Sequence, residues 1–325
     1  METMEIQTKK SSKSKASAIA MTVALSLAIV KAFVGIFTGS LAIISSAVDS
    51  ILDVFASLFN FLAIRTAEKP ADSKHQYGHG KYESLAAFIQ SIVIFVSGIF
   101  ILMSAYRNIK NNEHPEITSA GITIMFISII VTVCLTVYLR YMSKKEKSKI
   151  LEADSMHYSI DLYTNIGILA SLFIIKFTGY DIIDSIVAII IALFIMYSAI
   201  RLSFDVSKEL VDSSISKNDF NKIVEILDGF HKYNLDFHNI RSRMSGSTIF
   251  VDMHLNLCKY LSLEQVHRIT DIVEFEIGKE IPHADVTIHP EPCDHERNHV
   301  ENCQTNELRE SIKILDKEYR EKYNI

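Results

Sequence analysis

The sequence predicts an α-helical membrane protein with six transmembrane helices, followed by a small α+β domain of order α-β-β-α-β. Three observations carry that prediction. Six apolar segments, at 16–38, 41–65, 84–106, 118–139, 154–177 and 182–201, approach bilayer-spanning length, which is about 20 residues for a helix. The composition then changes near Phe204, where the chain becomes polar and alternating. Two of the apolar segments carry ionisable residues in matched pairs, Asp49 with Asp53 and His157 with Asp161. With 49% hydrophobic residues and a mean hydropathy of +0.20, the chain is too apolar, and its apolar residues too bunched, for an ordinary soluble protein.

Residues 1–15 read as a polar cytosolic segment with Lys9, Lys10, Lys13 and Lys15. A basic segment before an apolar run resembles a secretory signal. The run continues through Lys31 to Thr38, however, and a second apolar segment follows almost at once, which describes a helical hairpin. The third and fourth segments hold no charge between Leu85 and Ala105 or between Ala120 and Leu139. Lys31 is expected to snorkel, and Asp184 to sit at a helix start, where a carboxylate suits the dipole. Cys134, inside an apolar run, is expected as a small core residue.

Loop charge predicts orientation. The loop after the second segment carries Lys69, Lys74 and Lys81, and the loop after the fourth carries Arg140, Lys144, Lys145, Lys147 and Lys149. The alternate loops are poorer: Thr38–Gly39–Ser40 is uncharged, and 107–117 balances Arg107 and Lys110 with Glu113 and Glu116. The positive-inside rule then places both termini of a multi-pass cell-membrane protein in the cytosol.

The expected organisation is therefore a segment 1–15, a six-helix membrane domain 16–203, a cytosolic domain 204–292 and a charged tail 293–325. In the third of these, Ser216 opens a helix through Ile223, Val224 and Leu227, with Asp219 standing where a capping box has Glu. Phe237–Arg243 and Thr248–Leu257 alternate as strands around a Ser245-Gly246 turn. Ser262 and Gln265 open a second helix through Ile272, Val273 and Ile277, and Asp285–His289 forms a third strand. Such a sheet takes its helices on one face. The charged residues 304–325 read as a frayed helix or a disordered tail.

A net charge of −5 without a basic stripe argues against nucleic acid as a partner. Four cysteines without a CxxC pair fit a reducing cytosol.

Chemistry concentrates in four constellations. Asp49 and Asp53, like His157 and Asp161, are spaced i, i+4 and share a helix face. An intramembrane carboxylate costs at least about 2.5 kcal/mol on insertion scales, so it needs a partner, a water cavity or an ion. Helix-bridging hydrogen bonds would explain one such residue, but two matched pairs on different spans point to metal or proton handling. One imidazole and three carboxylates suit zinc, iron(II), cadmium or manganese. The second constellation is Asp72, His75 and His79 in a loop that Gly78 and Gly80 allow to turn tightly, although such a loop could equally be a solvated one. The third is His238 and His254 on adjacent strands, His267 on a helix, and His289 with Glu291 on the last strand. Single histidines are commonly ordinary surface or core residues. The fourth, Cys293, His295, His299 and Cys303, has the composition of a zinc set but the spacing of no common finger.

Six spans, DxxxD in the second, HxxxD in the fifth, the loop PADSKHQYGHGKYESLAAF, the run ADSMHYSIDLYTN and an α-β-β-α-β tail together resemble the cation diffusion facilitators over about residues 16–292. The similarity is strongest to bacterial zinc and ferrous-iron efflux members. It implies a homodimer that exchanges a cytosolic divalent cation for protons, and zinc is the expected cargo here, with iron(II), cadmium or manganese as the alternatives. Asp49, Asp53, His157 and Asp161 would form the transport site, and Asp72, His75 and His79 a loop site. His238, His254, His267 and His289 would build a paired-metal site at the dimer interface. Glu291 stands where the family has aspartate. Lys81 resembles a lysine that ties the loop to the partner subunit, through Asp212. The Cys293–Cys303 cluster falls outside the family pattern.

Chemistry alone supports exchange. Ionised carboxylates and neutral imidazole bind either metal or protons, so the two compete. Rival classes fare worse. A metallohydrolase needs an open metal position, a general base and a cleft, and these spans offer no cleft-forming segment. A membrane-anchored metal sensor leaves the cost of Asp49, Asp53, His157 and Asp161 without compensation.

Overall fold

The computed structural model describes residues 12–38, 41–111, 119–178, 182–233, 235–292, 312–315 and 317–320. The chain divides into two compact units, Met1–Leu210 and Val211–Ile325. Lys9, Lys10, Gly39, Ser40, Glu113, Glu116 and the cluster Cys293, His295, His299 and Cys303 lie outside the described residues.

The first unit consists of α1 (Ser12–Thr38), α2 (Leu41–Ala67), α3 (Lys81–Asn111), α4 (Ser119–Lys145), α5 (Lys149–Thr178) and α6 (Ile182–Leu210). All six are long and apolar enough to cross a membrane. None contains a proline: the five prolines, at 70, 115, 282, 290 and 292, all fall outside these helices. Large apolar side chains such as Phe33, Phe37, Leu52, Phe55, Phe100 and Phe194 point outward, the distribution that a lipid surrounding requires. Small residues face inward. Ala16, Ala20, Ala24 and Ala28 recur every fourth position on α1 and are all buried, which lets helices approach closely without a hydrophobic driving force. The most extensive packing is of α3 on α6, α1 on α2 and α4 on α5.

The helices outrun the apolar segments because hydropathy marks only the hydrocarbon section, whereas backbone hydrogen bonding continues into water. Lys13 is one result. It belongs to α1 rather than to a free basic segment, and its Nζ lies 2.9 Å from Glu83 Oε2 on α3, with both side chains buried. Two other expectations are corrected. Cys134 is exposed on the outer face of α4, since the lipid-facing side of a span is as apolar as its packed side and hydropathy alone does not tell the two apart. Lys31 does not snorkel: its ammonium turns inward and donates to Ser50 Oγ at 2.8 Å. Asp184 lies in the first turn of α6, as expected, and also accepts a hydrogen bond from Ser171 of α5.

The second unit is ordered α7 (Lys217–Asp228), a 3-10 turn (His231–Tyr233), β1 (Asp236–Ser245), β2 (Thr248–Leu257), α8 (Leu263–Glu280) and β3 (Ala284–Pro292). Ser262 and Gln265 complete a reciprocal capping box at α8. At α7 the shorter Asp219 instead accepts from the Ser216 hydroxyl, at 2.9 Å. β1 and β2 pair antiparallel around Gly246 at φ +60°, and β3 adds parallel to β2 through the α8 crossover. Pro290 and Pro292 are tolerated because β3 is an edge strand. The alternating Ile249, Val251, Met253, Leu255 and Leu257 of β2 are buried against Ile223 and Leu227 of α7 and Ile269, Val273 and Ile277 of α8. This leaves the opposite face of the sheet open.

The tail reading is corrected in part. Ile312 and Leu315 are buried in this same core. Tyr233 Oη donates to Glu318 Oε2 at 2.5 Å, and the Tyr319 ring meets Phe275 edge-on at 5.6 Å. High charge density concealed an apolar stripe at 312, 315 and 319.

Candidate metal centres

Three clusters of imidazole and carboxylate groups form among the described residues, each with ligand atoms within 4.8 Å of one another. They are Asp53, His157 and Asp161; Asp72, His75 and His79; and His238, His254 and Glu291.

The first lies on the seam between α2 and α5. Asp53 Oδ1 is 3.0 Å from His157 Nε2. Asp49 stands outside the tight triad but lines the same cavity of about 490 Å³, together with Lys31, Ser50, Asp53, His157 and Asp161. Two further polar pairs bridge the seam. Ser57 Oγ and Tyr158 Oη are 2.7 Å apart, and Asn60 Nδ2 donates to Asp154 Oδ1 at 3.0 Å. All four of these residues are buried. Asn60 Oδ1 and Asp154 Oδ2 are buried with no hydrogen-bond partner among the described residues.

Sequence reasoning missed Lys31, Asn60 and Asp154 as parts of this constellation. In the sequence Asp154 stands only at the start of a span. The signal available was its spacing: Asp154, His157 and Asp161 follow i, i+3, i+7, one continuous helix face.

The second cluster occupies the turn between α2 and α3. Asp72 Oδ1 accepts from the backbone amides of Lys74 at 2.9 Å and His75 at 2.7 Å. Its two oxygens also lie 3.3 Å from His75 Nδ1 and 3.3 Å from His79 Nε2. Gly78, at φ +80°, closes the turn, its N–H donating to the His75 carbonyl at 2.9 Å. The Pro70 carbonyl, 3.2 Å from His79 Nδ1, can only accept. With the Nδ1 proton donated to that carbonyl, Nε2, which faces Asp72 Oδ2, would be free to bind a cation held between them, an arrangement in which an outer contact orients the ligand. The backbone amides of His75 and Lys74 hold the Asp72 carboxyl below the ordinary aspartate value of 3.8. The group is thus ionised and ready to ligate. Beside the loop, Lys81 Nζ donates to the Leu210 carbonyl at 3.4 Å.

The third cluster lies on the open face of the sheet. His238 pairs directly with His254 across β1 and β2, and His254 with His289 across β2 and β3. A strand's period of two puts Glu291 on the same face as His289. Glu291 Oε1 is 2.8 Å from His254 Nδ1 and 3.9 Å from His289 Nε2, and Oε2 is 3.2 Å from His238 Nε2. Asn239, at φ +52° in the β-bulge between His238 and Arg241, donates from Nδ2 to His254 Nε2 at 3.2 Å. The hydrogen bond from His254, with the charges of the neighbouring imidazoles, holds the Glu291 carboxyl below the ordinary 4.5. His267 is not brought into this cluster within one chain. It sits on α8, exposed, 3.4 Å from Asp271. Asp212 is paired with Arg243 at 3.6 Å.

Comparison with known proteins agrees with this architecture. The family model described as "Cation efflux transmembrane domain" matches residues 17–211, and "Cation efflux protein, cytoplasmic domain" matches 215–293. Protein p34 of Rickettsia rickettsii is 33% identical over 251 residues, covering 77% of this chain and 82% of its own length. The cation-efflux pumps FieF of Serratia proteamaculans and Citrobacter koseri are each 33% identical over 252 residues, covering 78% of this chain and 83% of theirs. The chain belongs to the cation efflux family, the cation diffusion facilitators, and is a multi-pass membrane transporter of cations.

Proposed function

We propose that this protein exports a divalent cation, chiefly zinc, from the cytosol in exchange for protons. The observation that carries the reading is the convergence of Asp53, His157 and Asp161, with Asp49 on the same cavity, inside helices that cross the membrane. When the carboxylates are ionised and His157 is neutral, the site attracts a dication. Protons relieve the same repulsion and expel it. Coupling to a rocking of the helix bundle around a fixed midplane site turns this competition into antiport. Iron(II), cadmium and manganese remain alternative cargoes, because carboxylate and imidazole ligands do not separate them by type alone.

Both termini are cytosolic on this reading, and the protein works as a homodimer. Asp72, His75 and His79 form a loop metal site. His238, His254, His289 and Glu291 form a cytosolic site that His267 completes at the dimer interface, and Lys81 reaches Asp212 of a second copy. The second copy accounts for the position of His267, which is exposed and apart from the other histidines within one chain.

Flux into proteoliposomes tests the proposal. Zinc uptake should require an opposing pH gradient and draw protons out of the vesicle, which a trapped dye reads as a rise in luminal pH, and Asp161→Ala should abolish both. Normal uptake by Asp161→Ala, or uptake indifferent to collapse of the gradient, would refute it.

A further inference from the structure

Lys31 is the unexplained charge of the membrane unit. It lies well inside α1, which spans Ser12–Thr38, and is only partly exposed. A lysine at that depth ordinarily extends along the helix toward the headgroups. Here the side chain turns across to α2, donates to Ser50 Oγ at 2.8 Å, and lines the cavity that holds Asp49, Asp53, His157 and Asp161. Its ammonium thus shares one cavity with Asp49 and Asp161. Packing does not require an ammonium there, since an apolar residue would satisfy the α1–α2 contact at lower desolvation cost.

Charge count supplies the missing reason. The ionisable groups lining the cavity are Lys31 from α1, Asp49 and Asp53 from α2, and His157, Tyr158 and Asp161 from α5, whereas α3 and α4 contribute only neutral side chains. Asp154 is buried outside that lining and takes the Asn60 amide. With His157 neutral, three carboxylates and one ammonium leave two negative charges, which one divalent cation would balance.

We infer that Lys31 is a tethered counter-cation of the transport site, a positioning and affinity-setting residue that touches Ser50 and acts on the cargo through the shared cavity. A site with three uncompensated carboxylates would hold a dication tightly and release it slowly. The fixed ammonium weakens that hold and neutralises part of the carboxylate repulsion while the site awaits cargo. The idea rests on the cavity being the transport site, as proposed above.

Steady-state zinc flux by the full-length protein in proteoliposomes tests it, comparing wild type with Lys31→Met, Lys31→Arg and Asp161→Ala. Lys31→Met should lower KM tenfold or more and lower kcat as well, because release becomes slow. Lys31→Arg, which keeps the charge, should restore both values to within about threefold of wild type. A merely structural lysine would lower kcat without tightening KM. Dead Asp161→Ala beside a Lys31→Met transporter of unchanged KM would overturn the role of Lys31 alone, whereas active Asp161→Ala would overturn the site itself. If Lys31→Met does not accumulate as folded protein, Lys31→Gln takes its place in the same measurement. Failure of both variants to fold would assign Lys31 to structure and refute the inference.

Discussion

Glu291 is the group on which the cytosolic histidine row turns. One carboxylate is shared among three imidazoles, at 2.8 Å from His254, 3.2 Å from His238 and 3.9 Å from His289. Its replacement by alanine leaves the row without an anion. The cost follows from the worth of a ligand: structural zinc sites bind with roughly 10–16 kcal/mol in total, so one of four ligands carries about 2.5–4 kcal/mol. Glu291→Ala should therefore weaken zinc binding by roughly a hundredfold to a thousandfold, at about 1.4 kcal/mol per tenfold. Glu291→Gln, which keeps shape but loses charge, should fall between. The fragment Val211–Ile325 carries its own hydrophobic core and lacks the two clusters of the membrane unit. Calorimetric titration of that fragment against a competing chelator isolates this site. Binding by Glu291→Ala within threefold of wild type would mean that the histidines hold metal without it, or that no metal binds there.

The same carboxylate fixes a sign of pH dependence without metal. Its folded value lies below the ordinary 4.5. The stability it contributes is thus fully present above that value and lost as pH falls through the folded one.

Two further outcomes are expected. Leu255→Ala, at a position with 0% exposure in the β2 core, should cost about 2–5 kcal/mol of the fragment's stability in urea unfolding; a loss under 1 kcal/mol would contradict the packing described. In the loop, carboxyl NMR should find Asp72 titrating below 3.8, with the turn ordered above that value and loosening only as pH falls through the folded one. An Asp72 that titrates at or above 3.8 would mean that the amides of His75 and Lys74 do not hold it.

Much of this architecture was legible in the sequence, for physical reasons that can be named. Hydropathy locates spans because lipid selects side chains residue by residue. The pairs at 49 and 53 and at 157 and 161 stood out because charge inside such spans is costly. What escaped was set by neighbours rather than by local pattern. Lys31 obeys the snorkelling rule in isolation and departs from it because Ser50 and the acids of α2 and α5 lie across the groove. Asp154 fell at a segment boundary, where a carboxylate draws no notice, yet it has 0% exposure because Asn60 meets it there. The row His238, His254 and His289 required the register of both strand pairs, which no single-strand pattern encodes.

The seam between α2 and α5 shows how weak contacts can position a site that, on the proposed function, must also move. Lipid supplies no hydrophobic drive for helix association, so register must come from packing and from polar contacts. Three such contacts bridge this seam, Asp53 to His157, Ser57 to Tyr158 and Asn60 to Asp154. Helix-to-helix hydrogen bonds in membranes average only about 0.6 kcal/mol. Together they disfavour a slip of one helical turn, which would break all three at once, while none is strong enough to freeze the pair. Asn60 Oδ1 and Asp154 Oδ2 are buried without a partner among the described residues, so the seam retains hydrogen-bond acceptors that it has not used. A tightly satisfied network would resist any rearrangement by the full cost of its buried groups. A seam held by three modest contacts, with acceptors to spare, can re-pair at small cost, and that is the energetic condition the proposed alternating access would place on α2 and α5.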